Sequence, residues 1–326
     1  MEIRRAVRLR CGDPGRWSWV AVLLALLGAP ALAQTQADRL YVGYSISSGG
    51  TLDAGRTRLD ERRQLDLRLP LPPIVLGRTY LLPSLGYETR WLGVELPRPG
   101  GAGEDEVGRR FHRIQLGLTL IRPVAPRWLF IAGVMGSTRT DFQSSFDMGL
   151  DTSWVAFAMA NHQLGDEPGL SLTFGLVALW PFDALPVIPM ASLNYRRGPY
   201  VLEVGLPRLT LLRKLGETVE LGVVGGFEQQ VLHTRFDSVG QDLGAHYVRE
   251  SVVRVAPTVN VHLGRDLWLS SAVGLTLIND FALLDRQRDN LNIPGLGAGP
   301  TPYARVVLGW RPSPPQAKAR ASRPAP

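Results

Sequence analysis

The chain has 326 residues, 45% of them hydrophobic, with 35 Gly and 25 Pro spread along its whole length, a texture of many short elements joined by turns rather than of long helices. Its formal charge of +7 does not mark a nucleic-acid binder. An excess of three positive charges falls before residue 34 and of four after residue 310, no basic face with interleaved aromatics remains between them, and nucleic acid is excluded as a partner.

The chain opens with Arg4, Arg5, Arg8, Arg10 and Arg16 ahead of an apolar run from Val20 to Leu27, then the small-residue site Ala31-Leu32-Ala33. This pattern predicts a signal peptide over 1–33, cleaved before Gln34. The apolar run is shorter than the roughly 18 to 20 residues that span a bilayer as a helix. The single cysteine, Cys11, lies in the segment removed, so the exported chain is expected to fold without disulfides. No cysteine follows the apolar run, which excludes a lipid-anchored lipoprotein.

From Gln34 onward the dominant period is two. In Gln64-Leu65-Asp66-Leu67-Arg68-Leu69-Pro70-Leu71 every odd position is Leu. The alternation returns at Ile114, Leu116, Leu118 and Leu120, at Leu170, Leu172, Phe174 and Leu176, and at Val253, Val255, Val259 and Val261. A soluble sandwich would bury such a face; a membrane barrel turns it to lipid. Segments such as Arg109 to Ile121, Asp151 to Gln163, Val248 to Leu263 and Leu267 to Ile278 match the roughly 9 to 11 tilted residues that cross a bilayer rather than the five or six of a globular strand.

Short links at Pro72 to Arg78, Arg122 to Arg127, Leu164 to Pro168, Arg197 to Pro199, Gly216 to Glu217 and Gly264 to Asp266 alternate with longer polar ones. The long links are Gly49 to Glu61, Gly93 to Gly108, Arg139 to Leu150, Gln230 to Tyr247 and Asn279 to Pro300. This is the alternation of periplasmic turns and extracellular loops. With Tyr200 to Leu206 and Leu209 to Leu215 read as two strands joined at Pro207, the expectation is an all-β, closed antiparallel transmembrane barrel of about 14 strands over 34–311. Twelve is the alternative if Leu209 to Leu215 is too short. Tyr41, Tyr44, Trp91, Trp128, Trp180, Trp268, Tyr303 and Trp310 fall toward strand ends, where aromatic rings favour the headgroup boundary. Residues 312–326, rich in Pro, Ala and basic side chains, are expected to be a disordered periplasmic tail.

The predicted signal peptide, the Gly/Pro-rich alternating strands and the motifs Leu69-Pro70-Leu71, Leu82-Pro83-Ser84-Leu85-Gly86-Tyr87 and Gly205-Leu206-Pro207 resemble an uncharacterised family of outer-membrane β-barrel proteins of Gram-negative bacteria. The resemblance implies architecture, an outer-membrane location and handling by the barrel-assembly machinery, with Tyr303 to Trp310 as an internal assembly signal. It implies no activity.

No catalytic, cofactor or metal motif emerges. His162 beside Asn161, with Ser153, has the residue types of a barrel phospholipase without its spacing, and His112, His233, His246 and His262 show no paired ligand spacing. If the Leu and Val faces point outward, Asp66, Arg68, Arg113, Gln115, Glu203, Glu220, Glu228, Arg254, Asn260 and Arg305 point into the lumen. There they line a passage for small solutes or close it with cross-barrel ion pairs. Arg58, Arg62, Arg63, Arg109 and Arg110, where strands meet long loops, are expected to contact lipopolysaccharide phosphates. The function expected is a passive channel or carrier for small solutes; a closed structural or partner-binding barrel is the rival, and a lipid-modifying enzyme has least support.

Overall fold

A computed structural model describes residues 40–51, 58–97, 104–142, 146–165, 169–180, 187–205, 207–233, 244–293 and 296–311. The expected signal peptide and tail lie outside the described residues.

Fourteen strands make the wall: β1 (Leu40–Ser47), β2 (Arg62–Pro70), β3 (Thr79–Pro97), β4 (Glu104–Ala125), β5 (Trp128–Thr140), β6 (Thr152–Gln163) and β7 (Leu170–Trp180). They continue as β8 (Val187–Arg197), β9 (Tyr200–Gly205), β10 (Arg208–Leu215), β11 (Val219–His233), β12 (Tyr247–Gly264), β13 (Leu267–Leu284) and β14 (Thr301–Trp310). Each pairs antiparallel with its sequence neighbours, and β1 pairs with both β2 and β14. The sheet therefore closes, which hydrocarbon demands because an open edge would strand unpaired amides. A helical turn, α1 (Met148–Asp151), precedes β6.

Both ends of the wall, Leu40 and Trp310, lie at one rim, paired with each other. The tight turns lie at the same rim, several through left-handed residues such as Gly77, Gly198 and Gly216; this is the terminal end. The longer connections gather at the other, the loop end.

The period of two in the sequence becomes two faces of one wall. Leu67 and Leu116 are 39% and 64% exposed on the outside, while Asp66 is 4% exposed on the inside. An outward belt of Leu, Val, Ile and aromatic side chains this continuous is tolerated only against lipid. Position along a strand does not decide the face, however. Tyr41, Trp268 and Tyr303, expected at the headgroup boundary, share the inward face: Trp268 pairs with Gly309 and Tyr303 with Gly274, in step with inward Arg305 opposite Ala272.

Two features depart from a plain cylinder. Strands β3 and β4 continue their ladder through Gly93↔Gly108 to Pro97↔Glu104, inside the stretch expected as a loop. A polar sequence without alternation thus still pairs. Strands β9 and β10 are short, so β11 loses its β10 neighbour beyond Gly226, and at its end His233 pairs in parallel with Thr140 of β5. This bridge draws two distant parts of the wall together at the loop end.

Candidate functional site

The inward face changes character in steps of two residues along each strand, about 7 Å per step. On β3 the succession is Glu88, Arg90, Leu92; on β11 it is Glu228, Gln230, Leu232; on β12, read in reverse, it is Arg254, Val252, Glu250, Val248. Strand pairing aligns these steps, so the lumen is layered from the terminal end to the loop end.

At the terminal rim, Asn260 donates to Glu220 at 3.0 Å, Arg311 lies 3.6 Å from the same carboxylate and Arg311 packs over Trp268. Next comes a chamber of about 270 Å³, lined by Tyr41, Asp66, Arg68, Arg113, Gln115, Arg208, Thr258 and Arg305 among others. Ion pairs brace it: Arg305 to Asp66 at 2.8 Å, Arg113 to Glu88 at 3.2 Å, and Arg254 to Glu228 at 2.8 Å.

Beyond the chamber a crossbar of charge spans the lumen. Arg90, 3% exposed, ion-pairs with Glu250, which is fully buried, and with Glu228 at 3.2 Å, and it donates to Gln64 at 2.5 Å. These partners come from β2, β11 and β12, so Arg90 ties distant parts of the wall together. Arg62 reaches the other oxygen of Glu250 at 2.5 Å and donates to Asn279 at 2.8 Å. Gln230 donates to both Glu228 and Glu250. Charges this deeply buried persist only when paired and hydrogen-bonded together. Over the crossbar lies an apolar cap that includes Leu59, Leu92, Phe111, Leu232, Val248, Phe281 and Leu296.

The expected lumen set is thus found on the inward face, and most of it in one space. Asp66, Arg68, Arg113, Gln115, Glu228, Arg254, Asn260 and Arg305 line the chamber. Glu220 lies at its rim, and Glu203 lies apart on β9, opposite Thr210 and Asn194. Sequence reasoning missed Glu88, Arg90, Arg139, Gln230 and Glu250. Glu88 and Arg90 continue an alternation begun at Leu85 and Tyr87, so a signal existed. Glu250 had none, because its neighbours on the other face, Arg249 and Ser251, are polar too.

Of the expected lipopolysaccharide contacts, Arg63 and Arg110 face outward on either side of Trp91, with Arg110 stacked on its ring and Arg63 bonded to Glu61 at 2.5 Å. Arg58 and Arg109 are described in backbone only, opposite Thr51 and Leu92. Arg62 is a correction. It is 5% exposed inside the barrel, because the parity that sends Asp66 and Gln64 inward runs back to the first residue of β2.

Ser153 and His162 are not brought together. They lie nine positions apart on β6 and on opposite faces, His162 stacked on Trp128 outside while Asn161 bonds Ser171 and Thr173 inside.

No family model and no curated protein matches the chain. Among solved structures it is similar to a deletion mutant of the monoaromatic hydrocarbon channel TodX (9% identity, 88% of this chain and 94% of that one, TM-score 0.45). It is also similar to an outer membrane channel from Pseudomonas putida F1 (11%, 86% and 99%, 0.39) and to outer membrane phospholipase A from Escherichia coli (10%, 83% and 95%, 0.32). These likenesses concern barrel form alone. The chain is an all-β, closed 14-stranded antiparallel barrel.

Proposed function

We propose that this barrel is a gated passage for small solutes across the outer membrane, described here in its closed state, with the terminal end toward the periplasm. The observation that carries the reading is the sequence of layers. A polar chamber of about 270 Å³ ends against a crossbar centred on one residue, Arg90, whose partners Glu228 and Glu250 stand on strands far from its own. A barrel stabilised only as a scaffold gains little from such a chamber, since buried ion pairs are no better for stability than apolar packing. The outward Arg63 and Arg110 beside Trp91 suit lipopolysaccharide phosphates, and Tyr303 to Trp310, which forms most of β14, suits recognition by the assembly machinery.

The test is conductance of refolded protein in planar bilayers. Wild type should give rare, brief openings. Arg90→Gln, which keeps a hydrogen-bonding side chain but removes the charge shared by Glu88, Glu228 and Glu250, should open more often and for longer. If Arg90→Gln folds, as judged by its gel mobility before and after heating, and both proteins stay silent, the barrel is a closed scaffold.

A further inference from the structure

The chamber is unbalanced in charge, and the imbalance names a class of solute. Six arginines line it against three carboxylates among the described residues. Arg113, Arg254 and Arg305 each pair with one of those carboxylates, and the lining still carries three more cations than anions. Arg311 comes near Glu220 at the rim, yet the sign survives a wider count. With Glu220 added to the lining, six arginines still face four carboxylates. Arg68 has no carboxylate partner among the described residues.

Three further facts sharpen the inference. The cations that line the chamber are all arginines, whose planar forks hold an oxyanion through two hydrogen bonds. They come from β2, β4, β10, β12 and β14, with Arg311 one residue past the end of β14, so they surround the chamber from separated parts of its wall. The surrounding wall also offers the hydroxyls of Thr210 and Ser270, each of which accepts from an arginine and keeps its own proton to donate. A low-dielectric wall around a net positive space favours counter-charge entering it.

From this we infer that the chamber takes small anions bearing carboxylate or phosphate groups, and that the passage, where open, prefers anions to cations. This rests on the passage reading, and two measurements separate the failure of one from the failure of the other. The first is the reversal potential of wild type and of the Arg90→Gln barrel under gradients of potassium acetate and of potassium phosphate. The expected sign is that of anion flow. Arg68→Gln should bring the selectivity toward unity, Arg68→Glu should carry it past unity toward cations, and Arg68→Lys should largely restore it. The second needs no current: broadening of the phosphate resonance in phosphorus NMR, and of the acetate methyl resonance in proton NMR, on adding refolded barrel, reduced by Arg68→Glu. Cation-selective or unselective current through wild type overturns the anion assignment and leaves the passage standing. Silence in the bilayer with broadening that Arg68→Glu removes overturns the passage and leaves an anion-binding chamber. Silence without broadening overturns both.

Discussion

At the residue scale the decisive variable is parity. Leu67 and Asp66 are neighbours on β2 with opposite fates, one among the exposed outer leucines and the other bonded to Arg305 at 2.8 Å. Arginine placed on a lipid-facing midplane position costs roughly 2 to 4 kcal/mol, so Leu67→Arg should lower folding stability in vesicles by that order. Asp66→Asn keeps an acceptor for Arg305 and exchanges a charge-assisted bond for a neutral one, a loss of about 1 kcal/mol. Urea unfolding in lipid vesicles measures both, and equal losses would mean that the leucine face of β2 is not against hydrocarbon. The same parity shows why this level was largely legible in the sequence: wherever apolar and polar residues alternate, the face of every residue follows from one. It was misread at Arg62 by attention to the adjoining loop, and at Tyr41, Trp268 and Tyr303 by attention to position along the strand. Both errors fall where residue type and face disagree.

Elements were legible where apolar and polar residues alternate and illegible where the alternation lapses. Pro207 marked the break between β9 and β10, which gives the strand number. The upper reaches of β3, β4, β12 and β13 carried no such mark, and with them went Glu250 and the apolar cap. A Cβ on Gly222 would lie 1.9 Å from the backbone carbonyl oxygen of Leu211 on β10, so the two strands approach there only because one lacks a side chain. Gly226, four residues along the same strand, has its nearest neighbour for such an atom at 3.5 Å. Gly222→Ala should therefore cost about 1 to 3 kcal/mol through forced backbone shifts, against a few tenths for Gly226→Ala. The urea midpoints of the two variants in vesicles check this, and a tolerant Gly222 would show that the β10–β11 contact is looser than described.

At the scale of the whole molecule the two ends of the barrel differ, and the proposed orientation rests on that difference. Strand β4 has 22 residues; at about 3.4 Å each and a tilt near 40° it rises roughly 55 Å, about twice the apolar band of a transmembrane barrel. With its partner β3 it must project well beyond the lipid, and it does so at the loop end, above the crossbar and its cap. The terminal end, where Leu40 meets Trp310 among turns of a few residues, has no comparable projection. Barrels inserted from the periplasm keep short turns on that side and send long connections through. In the proposed orientation the chamber lies on the periplasmic side of the Arg90 crossbar. An epitope inserted between Pro97 and Glu104 should accordingly bind antibody on intact cells, whereas one placed after Arg311 should bind only once the outer membrane is permeabilised. If the second epitope is labelled on intact cells and the first is not, the barrel is inverted and its chamber faces outward; if neither is reached without permeabilisation, the β3–β4 hairpin does not project from the cell surface.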